Sequence, residues 1–299
     1  MRFATGLAVI SLSSLVSKPA TVAILSVNGG YMKLLNRKKV INLMFILAAI
    51  IAAIHLLYSL TLGRVIQYVE VPFHSPRWPA HLDGYRIAFI TDTHGISDSN
   101  LRQVVDELNA SDIDLLLLGG DFWAHYSRTL PILAQTQTTD GIFGVEGNHD
   151  IHTRLFAEME RQGMTPLSNS GQRIRDGFWL AGLEDLWNRN PCTTAATQGA
   201  GDDFVLLLTH NPDATMKVDT TAIDLILSGH THGGQINFFG LWAPLFTFTN
   251  LVTSYGQRFV SGWAKSRDGT PVYVSSGTGA VHLRMFTRPQ VIIFTMYGK

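Results

Sequence analysis

The chain has 299 residues, 23 of them basic and 23 acidic, for a formal net charge of zero, and charged residues make up only 15% of it where about 25% is usual. The charge is unevenly divided: residues 1–84 hold eight Lys and Arg against two Asp and Glu, and residues 85–299 hold fifteen against twenty-one. An acidic C-terminal part with no Lys/Arg stripe argues against nucleic acid as a partner, and a single cysteine, Cys192, excludes an internal disulfide framework.

Residues 1–39 read as a cytoplasmic or weakly apolar N-terminal segment. Leu7 to Val27 is moderately apolar but is broken by Lys18-Pro19. It reads as a poor second span, a signal-like stretch or an upstream extension, since Met32-Lys33-Leu34-Leu35 looks like a natural start. No Ala-x-Ala-like site follows it, which argues against cleavage. Residues 40–62 contain no Asp, Glu, Lys or Arg. As a helix they reach about 35 Å, enough for a hydrocarbon core of roughly 30 Å, so a transmembrane helix is expected here. Arg37-Lys38-Lys39 precedes it, and basic flanks stay in the cytoplasm. The reading is a single pass through the inner (plasma) membrane with the rest of the chain outside, in the periplasm of a Gram-negative cell. His55, inside the span, reads as interfacial or as a helix contact rather than a proton site. Residues 63–84 read as a connector, because Pro72, Pro76 and Pro79 discourage a helix.

From Tyr85 onward the chain repeats one pattern: a short apolar run, consistent with a buried strand, followed at once by metal-competent residues. Tyr85–Thr91 leads to Asp92 and His94, two apart and therefore on one face of an extended segment. Leu115–Leu118 leads through Gly119-Gly120 to Asp121. Ile142–Val145 leads to Gly147-Asn148-His149-Asp150, Phe204–Leu208 to His210, and Leu225–Leu227 to His230 and His232. Between them Asp98–Asn109 and Thr153–Gln162 read as helices, and Val272–Ser275 and Val291–Tyr297 as late strands. Taken singly each block is an ordinary turn or loop; Asp150, for instance, would serve as an N-cap. Five in one order, at the carboxyl ends of strands where layered α/β proteins carry their chemistry, read as one two-metal phosphoesterase site.

These blocks, D-x-H, G-D, G-N-H-[DE], a lone His and G-H-x-H, resemble the calcineurin-like metallophosphoesterases over Tyr85 to the C-terminus. His210-Asn211-Pro212-Asp213, the string His230–Gln235 and Arg288-Pro289 are similar to a bacterial branch of membrane-anchored phosphodiesterases, some of them UDP-2,3-diacylglucosamine diphosphatases. The resemblance implies an α/β fold, a four-layer αββα sandwich of two mixed sheets, over residues 85–299. It implies that Asp92, His94 and His232 hold one ion, that Asn148, His210 and His230 hold a second, and that Asp121 is shared. His149 would bind no metal but face the phosphoryl group and protonate the leaving oxygen, oriented by Asp150. Four imidazoles, an amide oxygen and two carboxylates suit Mn, Fe, Zn or Co better than Mg or Ca. The expected activity is hydrolysis of a phosphodiester or diphosphate bond, with a lipid-linked substrate as one form of it. The alternatives are a phosphomonoesterase on nucleotides or phosphoproteins, and a non-catalytic metal-bound membrane scaffold.

Thr93 stands where the family often has an aliphatic residue and is expected to point inward. His125, close to Asp121 in sequence, reads equally as a pocket-lining or an ordinary loop histidine, His282 as loop packing rather than a substrate contact, and His152 as helix surface. Cys192 lacks the basic surroundings of a nucleophile. Gln235–Gln257 carries no charge but is broken by Gly240, Pro244 and Asn250, so it is not a span. Its aromatic residues read either as core packing or, directly after two candidate ligands, as an apolar lip.

Overall fold

A computed structural model describes residues 37–123, 125–279 and 284–299. The apolar stretch at residues 7–27, the alternative start at Met32 and His282 lie outside them. The chain divides into two compact units, Met1–Leu56 and Leu57–Lys299. Helix α1, Arg37–Leu60, starts three residues before the charge-free run and has 24 residues. By length and composition it is able to cross a membrane. The His55 Nδ1 lies 2.6 Å from the Ile51 carbonyl one turn back.

The second unit contains strands β1 (Gln67–His74), β2 (Tyr85–Ile90), β3 (Leu115–Leu118), β4 (Ile142–Gly144), β5 (Thr165–Pro166) and β6 (Ser170–Arg175). They are followed by β7 (Phe178–Gly182), β8 (Phe204–Leu208), β9 (Leu225–Ser228), β10 (Gly262–Lys265), β11 (Pro271–Val274) and β12 (Gln290–Tyr297). The helices are α2 (Asp98–Asn109), α3 (Tyr126–Leu133), α4 (His152–Arg161), α5 (Thr193–Ala196) and α6 (Pro244–Phe248). Two six-stranded sheets result, in the orders β1-β12-β2-β3-β4-β5 and β10-β11-β9-β8-β7-β6. Both are mixed: β12 runs antiparallel to β2, and β10 and β6 run antiparallel to β11 and β7, while the central pairs are parallel.

Alternation along the strands builds the layers. Ile87, Phe89, Leu115 and Leu117 from one sheet meet Phe178, Leu180, Phe204 and Leu206 from the other in the central core. Ala88, Ile90, Leu116 and Leu118 point the other way, onto Leu101, Val104, Leu108, Leu155 and Met159 of α2 and α4. Helix α2 begins where Ser97 Oγ accepts the Asn100 N–H at 3.2 Å, an N-cap. The outer face of the second sheet is covered by shorter pieces, with Ala196 of α5 and Phe259 packed on Ala181, Val205, Leu207 and Val272. The αββα sandwich therefore has one thick and one thin outer layer.

The expected connector at residues 63–84 is in part sheet. β1 lies parallel to β12 with Gln67 beside Gln290. The prolines hid it, but an edge strand tolerates a residue without an N–H, and Pro72 sits in such a strand. The charge-free stretch 235–257 does not fill the core: Phe239, Leu241, Leu245, Phe248 and Leu251 are exposed, and Phe246 is its buried aromatic anchor.

Candidate metal centre

The five loops follow β2, β3 and β4 of one sheet and β8 and β9 of the other, so both sheets contribute their carboxyl ends to one place. His94 Nε2 lies 3.1 Å from His232 Nε2, and His232 Nε2 lies 3.5 Å from Asp92 Oδ1. His210 Nε2 is 3.1 Å from Asn148 Oδ1, 3.2 Å from His230 Nδ1 and 3.4 Å from Asp121 Oδ2. All seven residues expected as ligands thus meet. Two groups, Asp92–His94–His232 and Asp92–Asp121–His210, each bring their ligand atoms within 4.8 Å of one another. Asp92 belongs to both and Asp121 to the second alone, so the geometry offers Asp92 for sharing where the sequence pointed to Asp121.

The backbone is distorted to achieve this. Asp92 (φ 53°), Asp121 (φ 59°), His230 (φ 71°) and His232 (φ 51°) are all left-handed, a conformation that costs a non-glycine residue about 1–3 kcal/mol and that clusters at functional sites. Room is made by glycine: a Cβ on Gly147 would run into the Asp121 carboxylate, and one on Gly229 into that of Asp92. The outer ring nitrogens fix the inner ones. His210 Nδ1 faces the Gly119 carbonyl at 2.8 Å and His230 Nε2 the Val252 carbonyl at 2.9 Å. With the proton donated outward, each ring turns a lone pair inward. His232 Nδ1 is buried and has no hydrogen-bond partner among the described residues.

The donor set fits a cation. Burial holds the His94 imidazole down to about 4 and that of His230 down to about 3, and burial with the nearby Arg284 charge holds His232 well below its ordinary value. Three of the four rings are therefore neutral, the form that ligates. Two neutral nitrogens 3.1 Å apart share at most one proton, and the remaining lone pairs and carboxylate oxygens around them need positive charge. In the polypeptide by itself His210 supplies some of it. Burial pushes its proton off, but Asp121 and Asp92 outweigh burial and raise it well above the usual range. Burial likewise pushes the Asp121 carboxyl up, but His210 and the His149 N–H overcome it and hold the group low. Asp92 is pushed up to about 6 by burial.

A family model for the calcineurin-like phosphoesterases matches residues 85–234, half of the chain and all five blocks. The chain belongs to the calcineurin-like phosphoesterase family. It is 30% identical to YkuE, an uncharacterized metallophosphoesterase of Bacillus subtilis, over 78% of this chain and 86% of that protein. It is 28% identical to an uncharacterized metallophosphoesterase of Campylobacter jejuni over 87% of this chain and 71% of that one. A transmembrane protein with metallophosphoesterase domain from Danio rerio is 28% identical over 82% of this chain, which spans 61% of its length.

In this phosphoesterase His149 stands at the exposed rim, its backbone N–H donated to Asp121 Oδ1 at 2.9 Å. Asp150 does not do what was expected of it. Its Oδ2 accepts the N–H groups of Asp121 (2.7 Å) and Gly147 (2.9 Å), and its Oδ1 those of Phe122 (2.9 Å) and Trp123 (3.3 Å). With four acceptor positions filled by backbone, the carboxylate shapes the Asp121 turn rather than the His149 ring. It is also not the cap of α4, whose N-cap is Ile151. Burial, with Asp121 nearby, raises it to about 6. The ring of His149 instead stacks on Trp123, at 5.1 Å and 11° between planes, and the same indole meets His94 edge-on at 5.1 Å.

Sequence reasoning missed Trp123 and its counterpart Trp187, which is exposed and meets His230 edge-on at 4.7 Å. It also missed the 185–189 loop. Asp185 Oδ2 accepts from Trp187 N and Asn188 N, and Asn188 Nδ2 donates to the Asn148 carbonyl at 2.8 Å. Arg284, buried beside the first group, donates to the carbonyls of Ser276 (2.6 Å) and Gly279 (2.7 Å). None of these carries a spacing signal; a WxxD-type search would find nothing, because they act through folded proximity. Thr93 is buried, as expected, and His125 sits at the start of α3. His152 is half-buried rather than free surface, paired with Glu146 at 2.8 Å, which Arg189 also holds at 2.9 Å.

Proposed function

We propose that the protein is a membrane-anchored, binuclear metal-dependent phosphoesterase that hydrolyses a phosphodiester or diphosphate bond of a lipid-linked substrate, UDP-2,3-diacylglucosamine being one of that class. The observation that carries this reading is the meeting of the seven side chains, with two pairs of imidazole nitrogens facing each other at 3.1 and 3.2 Å between two buried carboxylates. Asp92, His94 and His232 would hold one cation and Asn148, His210 and His230 the other, with Asp121 common to both. The ligand chemistry suits Mn, Fe, Zn or Co. When bound, such a pair supplies Lewis-acid charge and an ionised water.

The residues of the chain do the rest. Asp92 and Asp121 set the charge of the floor. His149 would face a bound phosphoryl group and give a proton to the departing oxygen; its exposure at the rim and its stacking on Trp123 support this. Asp150 keeps the Asp121 turn in its left-handed shape through four N–H bonds. The apolar length of α1 and the basic run Arg37-Lys38-Lys39 before it support a site held outside the cytoplasm at a membrane surface. The test is elemental analysis of the purified chain together with parallel assays on an aryl monoester, an aryl diester and a lipid diphosphate. Two transition metals per chain, with turnover of diester or diphosphate above monoester, are expected. Preference for the monoester would replace the reading with a phosphomonoesterase, and two metals without turnover on all three would replace it with a scaffold.

A further inference from the structure

The charge-free stretch after His232 is folded, yet it shows its apolar residues to the outside. Phe238 and Trp242 form an antiparallel bridge, with the Phe238 N–H donated to the Trp242 carbonyl at 2.8 Å. The turn between them holds Phe239 (φ 53°), Gly240 (φ 73°) and Leu241. Helix α6 follows, anchored by buried Ala243 and Phe246 and by Gln257, whose side chain exchanges hydrogen bonds with the Ala243 backbone at 3.0 and 2.6 Å. Trp242 Nε1 donates to Thr247 Oγ1 at 2.7 Å. On this fixed frame Leu241 is 86% exposed, Phe248 75% and Leu251 74%, with Phe239 and Leu245 also outside. A cluster of large apolar side chains held outward by a hydrogen-bonded frame marks a contact surface rather than a packing accident.

Three observations say what covers it. No Lys, Arg, Asp or Glu lies between Gln235 and Gln257, so the stretch itself brings no ion-pairing side chain to a protein partner. The hairpin tip is joined by ring contacts to the last turn of α1: Phe239 meets Phe286 at 5.0 Å, and Phe286 stacks on Tyr58 at 4.8 Å. Among the described residues, that helix is the one long and apolar enough to cross a membrane. Aromatic and leucine side chains beside the end of such a helix are the composition of the bilayer interface. We infer that the hairpin Phe238–Trp242 and the face of Leu245, Phe248 and Leu251 dock into the lipid bilayer next to the anchor, as a second point of membrane contact.

The far end of the same stretch reaches the metal centre. The Val252 carbonyl holds His230 Nε2 at 2.9 Å, and Asp213 accepts from Thr253 Oγ1 (2.5 Å) and Ser254 N (2.8 Å). Docking therefore presents the candidate centre to phosphoesters whose apolar part stays in the membrane. This substrate class rests on the phosphoesterase reading above; the docking itself does not.

The experiment uses the full chain with Cys192→Ser, reconstituted in phosphatidylcholine–phosphatidylglycerol vesicles. A polarity-sensitive fluorophore is attached through Leu241→Cys or, as a remote control, Asp202→Cys, a loop position before β8 at the opposite end of that strand from His210. Acyl-chain spin-labelled lipid should quench more than about half of the signal at position 241 and little at 202, as for side chains seated 5–10 Å below the headgroups. Equal quenching at the two positions overturns the proposal. So does shielding of position 241 that follows protein density instead of lipid quencher, which would assign the face to a second copy. In a second arm, combined Leu241→Ser, Phe248→Ser and Leu251→Ser should cut turnover of a vesicle-borne diphosphate by about tenfold and leave a soluble aryl diester nearly unaffected. Equal losses on both would make the stretch a structural support of the site. If neither substrate turns over with the unaltered chain, the phosphoesterase reading fails while the quenching arm still decides docking.

Discussion

The two halves of the candidate metal centre are built differently. On the His210–His230 side each imidazole has its outer nitrogen on a backbone carbonyl, of Gly119 and Val252. On the His94–His232 side the inner nitrogens face each other at 3.1 Å, and His232 Nδ1 is buried without a partner among the described residues. His210 is fully buried, and the other side opens toward exposed Trp123 and the rim. One half has its tautomers set before a cation arrives; the other leaves them to be set by the cation. Outer partners of this kind are worth 10–100-fold in metal affinity, so the His210–His230 half is expected to hold its ion more tightly.

The largest effect should come from Asp121, which the proposed function makes common to both halves beside Asp92. Asp121→Ala is expected to lose metal and activity together, by roughly four orders of magnitude in kcat/KM. Metal analysis beside a diester assay checks this, and retained stoichiometry would break the assignment. His149→Ala should keep both ions while kcat falls by about 10²–10⁴; loss of metal would instead move His149 into the ligand set. The asymmetry is probed by a pair: His94→Ala should retain about one ion after dialysis, and His210→Ala close to none. Equal residual metal in the two variants would erase the difference drawn above.

Protons sharpen the same contrast. In the metal-free chain His210 has a raised proton affinity and must lose its proton to ligate, so the affinity of its half should still climb with pH above neutrality. His94 is neutral down to about 4, and Asp92, raised to about 6, is ionised above that value. The His94 half should therefore be flat above neutrality and weaken as pH falls through about 6. Calorimetric metal titration at several pH values, in buffers of different ionisation enthalpy, reads both the slopes and the released protons. The smallest expected effect concerns Trp123. Its loss to Ala should lower kcat by about tenfold through a looser His149, and Trp123→Phe should recover most of it. An equal fall for both would leave the stack without a role in positioning.

Much of the centre was legible because its chemistry is tied to local pattern. Leu115–Leu118 and Phe204–Leu208 end where read, and the residues at their carboxyl ends had one chemical purpose in common. Other parts carried no local signal. β1 was masked by prolines that only an edge position permits, and its partner β12 lies more than two hundred residues away. Asp150 looked like a partner for its neighbour His149, but the turn of Asp121 brought four backbone N–H groups onto it first. The apolar run 235–257 had the same composition whether it faced the core or solvent, and only the anchoring of Ala243 and Phe246 decided which side chains remained outside.

By itself the sequence determined the strands that lead into the site and the candidate ligands after them, the length of an apolar helix and the family, because periodicity and residue chemistry act over a few neighbours. The tertiary structure decided which nitrogen each histidine turns inward, where the two tryptophans stand, what Asp150 holds and which face of the uncharged stretch is bare. Those are contacts between segments far apart in the chain. Their energies depend on distances that only the packing of two sheets sets.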